Sequence, residues 1–333
     1  MSQNLSNEQR AQSIKTAERI TMVGTFPSYV RHKTLIYHRM MVEDLPNYPN
    51  YFTAEYLPGV CVIDDLKAGC KYVLKSDSQD SQKLSYNRLP DKSVGREIAA
   101  LLALHRVKEH ENIISLYGHG KIKLGDYNQY FAVLEYIDGR TLDKPLASEL
   151  KLKAILEICQ ALQHCHENGI IHCDIKPENM MQGYDSGGTC GKSILMDFDI
   201  SMTVEDAIKR KRFIGTVGYA APELFDGACP SKASDIYGFG ISMHQILSGN
   251  EPFEGYDYSE VTRIHKKGAT MWLKPLPSEI PEKIKNIIGK AVELNPDNRL
   301  PVEEINEEIK KELGKRVKSA PDKNTADKNA PDK

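Results

Sequence analysis

The sequence predicts an α+β protein of two lobes, the first strand-rich with one prominent helix and the second mainly helical. Three observations point to this. From about Tyr51 the pattern turns β-like through VCVID and KYVLK, and the short apolar runs IISLYG and YFAVLEYI follow one helix. Apolar residues at helical spacing dominate from Leu152 to about residue 315. The change of pattern falls at one place, near Glu135 to Asp138.

The chain has 333 residues with 40% hydrophobic content, enough for one large core or two moderate ones. Lys plus Arg number 44 against 46 Asp plus Glu, a net charge of -2, so nothing global advertises nucleic acid or an anionic membrane as partner. Seven cysteines, an odd number without a CxxC pair, read as reduced thiols of a cytoplasmic protein rather than a disulfide framework. The polar start MSQNLSNEQRAQSIK lacks a signal-peptide core, and no apolar run approaches the roughly 20 residues that span a bilayer.

Residues 1–49 read as an N-terminal extension whose basic, aromatic patch PSYVRHKTLIYHRMM fits a helix or a strand equally well. Residues 50–137 form the small lobe. VCVID and KYVLK pair as strands, with Asp64, Asp65 and Gly69 as turn residues. After the polar loop SDSQDSQKLSYNRLPDK, the segment SVGREIAALLALHRV places Val94, Ile98, Leu101 and Leu102 on one helical face, capped by Asp91 or Ser93. IISLYG and YFAVLEYI follow as two short apolar runs, the second ending at Asp138-Gly139. Residues 138–315 form the large lobe, opening on a helix marked by Leu152, Ile155, Leu156, Cys159 and Leu162 that stops at Asn168-Gly169. The tail, residues 316–333, contains the near repeat APDKNTADKNAPDK, which has no large apolar side chain to offset its ordering entropy and reads as disordered.

The stretch HCDIKPEN, residues 172–179, concentrates the chemistry. A zinc site built from His164, Cys165, His166, His172 and Cys173 fails on spacing, because neighbours near the end of a helix point in different directions. A redox role for Cys173 needs an electropositive pocket, and only Lys176 is near in sequence. A third reading takes in the downstream motifs. Asp174, Lys176 and Asn179 stand at the spacing of a phosphoryl-transfer loop, Asp197-Phe198 ends a β-type run, and GTVGYAAPE closes a later segment with Ala221-Pro222-Glu223.

On these motifs, residues 50 to 310 resemble the eukaryotic-type serine/threonine protein kinases, and the resemblance implies the bilobal kinase-like fold. It implies ATP and Mg2+ as cofactors and a protein substrate carrying a Ser or Thr acceptor. Asp174 would accept the hydrogen bond of the attacking hydroxyl, Lys176 would place a positive charge beside the phosphoryl group, and Asn179 and Asp197 would hold magnesium. Thr216 would hydrogen-bond near Asp174, and Glu178 would favour basic residues in the substrate. Lys75 matches the lysine on the α- and β-phosphates and Glu97 its helix partner. Leu134 falls at the gatekeeper and Glu135 at the first hinge position, with Tyr136 and Ile137 receiving adenine between the apolar faces of Val73, Cys61 and Met181. Leu101, Leu116, His172 and Phe198 match a stacked internal spine, Asp235 a buried anchor of the catalytic loop, and Arg299 the partner of Glu223.

The sequence departs from the family pattern at three places. The nearest match to the glycine-rich loop, residues 54–59, keeps only Gly59, and Pro58 has no amide hydrogen to offer a phosphate. Asp199 replaces the glycine after Phe198, adding a carboxylate that either assists metal binding or points away. Cys173 replaces an arginine that in many kinases receives a phosphorylated activation loop, and Arg212 stands where that phosphate would be carried. The two losses together predict activity without activation-loop phosphorylation. The basic run Lys209-Arg210-Lys211-Arg212 is either a contact for acidic groups or a solvated loop. Two rival functions remain at this stage: a pseudokinase binding module, and a small-molecule kinase of the aminoglycoside or choline type, which lacks the Ala-Pro-Glu segment. Export into a host cell is a further reading of the loop divergence and the extension.

Overall fold

The computed structural model describes residues 17–24, 30–31, 60–65, 70–77, 93–106, 108–124, 127–185, 188–210 and 212–319. The first lobe is an antiparallel sheet of six strands in the order β1-β5-β6-β4-β3-β2. These are β1 (Ala17–Gly24), β2 (Val30–Arg31), β3 (Val60–Asp65), β4 (Cys70–Ser76), β5 (Leu116–Leu124) and β6 (Tyr127–Glu135). The two outermost strands come from the first 49 residues: β1 pairs with β5, and β2, the described part of the basic aromatic patch, pairs with β3. The loop 54–59, the tail beyond residue 319 and most of the basic patch lie outside the described residues.

Helix α1 (Val94–His105) crosses this sheet. Its first turn is anchored twice. The Ser93 hydroxyl accepts from the Arg96 amide at 3.2 Å, and the Asp77 carboxylate accepts from the Val94 amide at 2.7 Å. Val94, Ile98, Leu101 and Leu104 are buried, whereas Leu102 is 42% exposed. This corrects the face predicted from sequence: at about 100° per residue Leu102 turns away from the strip that Leu101 occupies, and Leu104 takes its place.

The chain leaves the sheet through residues 136–138 and pairs β7 (Gly139–Thr141) with β9 (Met180–Tyr184) so closely that a Cβ on Gly139 would lie 2.2 Å from the Gln182 carbonyl oxygen. The second lobe is helical: α2 (Ser148–Glu167), the short α3 (Val204–Ala207) and α4 (Pro222–Phe225), then α5 (Lys232–Ser248), α6 (Tyr258–Lys267), α7 (Glu282–Ala291) and α8 (Val302–Ser319). Helix α5 is buried on nearly every side, as its apolar and small residues allow, with Gly240 set against Ala291 and Val292 of the α7 end. Two short strand pairs complete the lobe. Strand β9 pairs with β10 (Cys190–Leu195), and β8 (Ile170–Ile171) pairs with β11 (Met202–Thr203). One apolar core runs from α1 through α2 to α5, α7 and α8, so both lobes pack on a shared interior.

Arg299 closes the bottom of this lobe. Its guanidinium, 1% exposed, donates to both Glu223 carboxylate oxygens at 2.7 and 2.8 Å, to three backbone carbonyls, and lies over the Tyr237 ring. Removing one partner of a buried pair strands the other charge, so Arg299→Ala should lose about 3–5 kcal/mol of stability, read from the urea midpoint.

Candidate active site

The site begins on β4. Direct β-pairs share a face, so Lys75 opposite Ala132 and Val73 opposite Leu134 present four side chains to one side of the sheet. That side carries α1, and Glu97, 1% exposed, meets the Lys75 ammonium at 2.9 Å. Asp197 accepts from the same ammonium at 2.6 Å, and Asp199 stands 3.6 Å away. Burial alone would lower the Lys75 ammonium. The carboxylates of Glu97, Asp197 and Asp199 outweigh it and hold the group well above its ordinary value. Glu97 is also shifted upward, but here burial itself raises the carboxyl, with Lys75 opposing and the two aspartates adding to the rise. The second Glu97 oxygen accepts from the Phe198 amide at 3.2 Å, which ties α1 to the Asp197-Phe198-Asp199 turn.

Phe198 is fully buried against His172, ring centroids 4.7 Å apart, with Leu101 and Leu116 in the same core. His172 thus has a packing role, and its Nε2 bonds the Met196 carbonyl at 3.1 Å. Asp197 itself adopts a left-handed backbone, φ 66°, a conformation unusual for a residue with a side chain.

The catalytic-loop residues converge in the second lobe. Thr216 donates to Asp174 at 2.7 Å, and Lys176 donates to Thr216 at 2.8 Å and to Asp174 at 2.9 Å. The Asn179 amide nitrogen donates to the Asp174 carbonyl and carboxylate at 2.8 and 3.1 Å, which fixes the amide plane and turns its oxygen the opposite way. Gly215, φ 110°, permits the approach of Thr216: a Cβ there would lie 2.8 Å from the Cys173 carbonyl oxygen. The loop backbone hangs on Asp235, which accepts from the His172 and Cys173 amides at 2.8 and 2.9 Å and bonds His166 at 3.0 Å. Asp235→Asn offers one acceptor oxygen where three donors converge. It should lower stability by about 1–3 kcal/mol, measured by denaturant unfolding.

The two groups form one site. The Met196 amide donates to the Asn179 carbonyl at 3.0 Å, so an unbroken series runs from Thr216 through Asp174, Asn179, Met196 and Asp197 to Lys75 and Glu97. An Asp197 carboxylate and an Asn179 amide oxygen are hard oxygen donors. They suit magnesium shared with a substrate's phosphates, a cation that keeps much of its coordination for water and phosphate.

Other expected positions are placed as follows. Leu134 is buried on β6, Glu135 ends that strand with its amide on the Ser115 carbonyl, and Tyr136 and Ile137 are half-buried in the connection. Met181 sits on β9 opposite Ile194 and Thr141. Cys61 pairs with Leu74, one step out of phase with Val73 and Lys75. The residue opposite Val73 is Val62, which the sequence reading missed. Gly59 lies outside the described residues. Asp77 was also missed; its carboxylate accepts from the amides of Val94 and Tyr130, and nothing in the local spacing marks it. The cysteines and histidines weighed for zinc have packing and hydrogen-bonding roles: Cys165 is in the core and His164 bonds the Leu104 carbonyl. Burial, then the charge of Asp235, pushes the Cys173 thiol well above its usual range, the reverse of what a redox thiolate needs.

Fold and site together define the bilobal architecture of protein-phosphorylating enzymes. The chain belongs to the protein kinase family: the family model for the protein kinase domain matches residues 60–309. It is 30% identical over 204 residues to the serine/threonine-protein kinase PrkC of Bacillus subtilis, covering 59% of this chain and 30% of that protein. It is 32% identical over 203 residues to Aurora kinase B of Mus musculus, 59% of this chain and 55% of the relative. To the serine/threonine-protein kinase PknB of Mycolicibacterium smegmatis it is 30% identical over 200 residues, 57% and 31% of the two chains. The chain thus spans about a third to a half of the length of these relatives. No helix among the described residues is long and apolar enough to cross a membrane.

Proposed function

We propose that the chain transfers the γ-phosphoryl group of ATP to serine or threonine hydroxyls of protein substrates in a magnesium-dependent reaction. The observation that supports this best is the continuous series of contacts from Thr216 and Asp174 to Lys75 and Glu97, which sets an acceptor-side carboxylate and a phosphate-side lysine at two ends of one cluster. Phosphoryl transfer asks a protein mainly for positioning and charge stabilisation. Lys75 would bind the α- and β-phosphates with Glu97 behind it. Asn179 and Asp197 would hold magnesium, which when bound neutralises phosphate charge. Asp174 would orient the acceptor hydroxyl and take its hydrogen bond, and Lys176 would offset charge on the transferring group. Adenine would lie beside Val73 and Leu134, against the backbone of residues 135–137, with Val62 opposite Val73 and Met181 as further candidates. Glu178 would favour basic residues near the acceptor, as the family resemblance implies; Asp143 and Glu251 add negative charge around it and Lys176 offsets part of that charge.

The activation segment is read as ordered without phosphate. Ile171, Met202, Ala207 and Ile214 form an apolar cluster against Cys173 and Ile200, at the place where many relatives by fold would use an arginine and a phosphate. Phosphatase-treated protein should therefore keep its full transfer rate; a loss of tenfold or more would contradict this reading.

The function is tested by incubating the full chain with γ-labelled ATP, magnesium and a mixed protein substrate, followed by phosphoamino-acid analysis. Phosphoserine or phosphothreonine that disappears with chelator supports the proposal. No transfer above a no-enzyme control would favour a pseudokinase, and dominant phosphotyrosine would reject the serine/threonine assignment.

A further inference from the structure

Position 199 is where the family pattern has a glycine, and a glycine has no side chain to place. Here the aspartate side chain is 5% exposed, and its carboxylate lies 3.6 Å from the Lys75 ammonium, on the same cation as Glu97 at 2.9 Å and Asp197 at 2.6 Å. A carboxylate withdrawn from water is tolerated where it is paired, and Lys75 is a cation within its reach. The backbone of the same residue is engaged as well. The Asp199 carbonyl accepts from the Ser93 amide at 2.9 Å, at the cap of α1, while Glu97 in the next turn accepts from Phe198.

The short contact to Asp197 uses the carboxylate that is also read as a magnesium ligand. A cation drawing on Asp197 competes with Lys75 for that group. Glu97 and Asp199 then remain as the two carboxylates behind the lysine, one from α1 and one from the turn after β10.

We propose that Asp199 is a positioning residue that shares with Glu97 the task of holding Lys75 toward the phosphates of a bound nucleotide. This rests on the reading of the chain as an ATP-dependent kinase. Each of the two carboxylates backs up the other, so the Lys75–Glu97 pair is not the sole determinant of the lysine's position. The opposing effect is repulsion between Asp199 and the triphosphate, but the carboxylate's near neighbour is the ammonium, and attraction to it at 3.6 Å outweighs a more distant, cation-shielded charge.

The test uses the full chain with Glu97→Gln, Asp199→Asn and the double variant. Glutamine keeps the oxygen that accepts from Phe198. Two quantities are read: KM and kcat for ATP, and the equilibrium Kd of a ribose-labelled, non-hydrolysable ATP analogue with magnesium by fluorescence anisotropy. Asp199→Asn should raise KM and Kd about fivefold, with kcat falling by less than KM rises, and the double variant should lose at least about fivefold more than the product of the single losses, as groups sharing one partner do. Asp199→Gly, the residue the family pattern carries, should move KM and Kd in the same direction; it decides the matter if Asp199→Asn does not unfold cooperatively. Unchanged or tighter binding in the Asp199 variants, or a double variant equal to the product of the singles, overturns the proposal. If wild type binds the analogue but transfers no phosphate, the function fails while the Kd arm still judges Asp199.

Discussion

Asp174→Ala should lower phosphoryl transfer by about a thousandfold while nucleotide affinity stays within about twofold of wild type. The carboxylate gathers Thr216, Lys176 and Asn179 at 2.7 to 3.1 Å, and it makes none of the contacts that hold Lys75, which are with Glu97, Asp197 and Asp199. On the proposed function its loss would remove the group that orients the hydroxyl and leave the residues proposed for the phosphates standing. The loop backbone should persist, because Asp235 holds the His172 and Cys173 amides independently. Steady-state kinetics with labelled ATP, beside anisotropy of the labelled analogue, separates the two effects. Parallel loss of binding and transfer would make Asp174 a structural residue only.

Asp197→Ala should also lose about a thousandfold in transfer, but by a different route. Lys75 keeps Glu97 at 2.9 Å and Asp199 at 3.6 Å, so the lysine stays paired and the lobe should unfold as cooperatively as wild type. What would go is the carboxylate proposed as a donor for magnesium. Nucleotide affinity in the variant should thus respond little to added magnesium, whereas wild type should bind more tightly as magnesium rises. A variant whose affinity still climbs with magnesium would assign the cation to other groups.

Both predictions rest on residues that could be picked out before any coordinates. Asp174, Lys176 and Asn179 lie within six positions, so their local geometry is set by one loop, and spacing reveals it. Lys75, Glu97 and Asp197 were legible only as members of an ordered series, since ion pairs across 22 and 122 positions leave no periodic trace. Register was harder. The family resemblance implies Cys61 beside the adenine, whereas the β3–β4 hairpin pairs Asp65 with Cys70 and so sets Val62 opposite Val73. A shift of one residue exchanges the faces of a strand, and only the length of the turn decides it. On α1, the choice of Leu102 over Leu104 was an error of one helical strip, corrected by the packing of the helix against the core.

Asp199 shows the opposite case. Its identity was plain in the sequence, but its direction was not, because a carboxylate after Phe198 has two open orientations and the decision belongs to a lysine 124 positions earlier in the chain. The edge strands were missed for two reasons. AERITMVG, residues 17–24, carries Ile20, Met22 and Val23 but follows a polar start that drew no strand assignment. The patch around residues 30–31 fitted a helix or a strand equally well until paired at a sheet edge.

The central claim is that side chains from Lys75 to Asp197 enclose one triphosphate and its cations. A crystal structure of the full chain with magnesium and a non-hydrolysable ATP analogue tests it most directly. The account predicts the Lys75 ammonium on the α- and β-phosphates, oxygens of Asp197 and Asn179 on magnesium at about 2.1 Å, and the γ-phosphate facing Asp174. A nucleotide bound elsewhere, or one whose phosphates leave Lys75 and Asp197 paired only with each other, would contradict it.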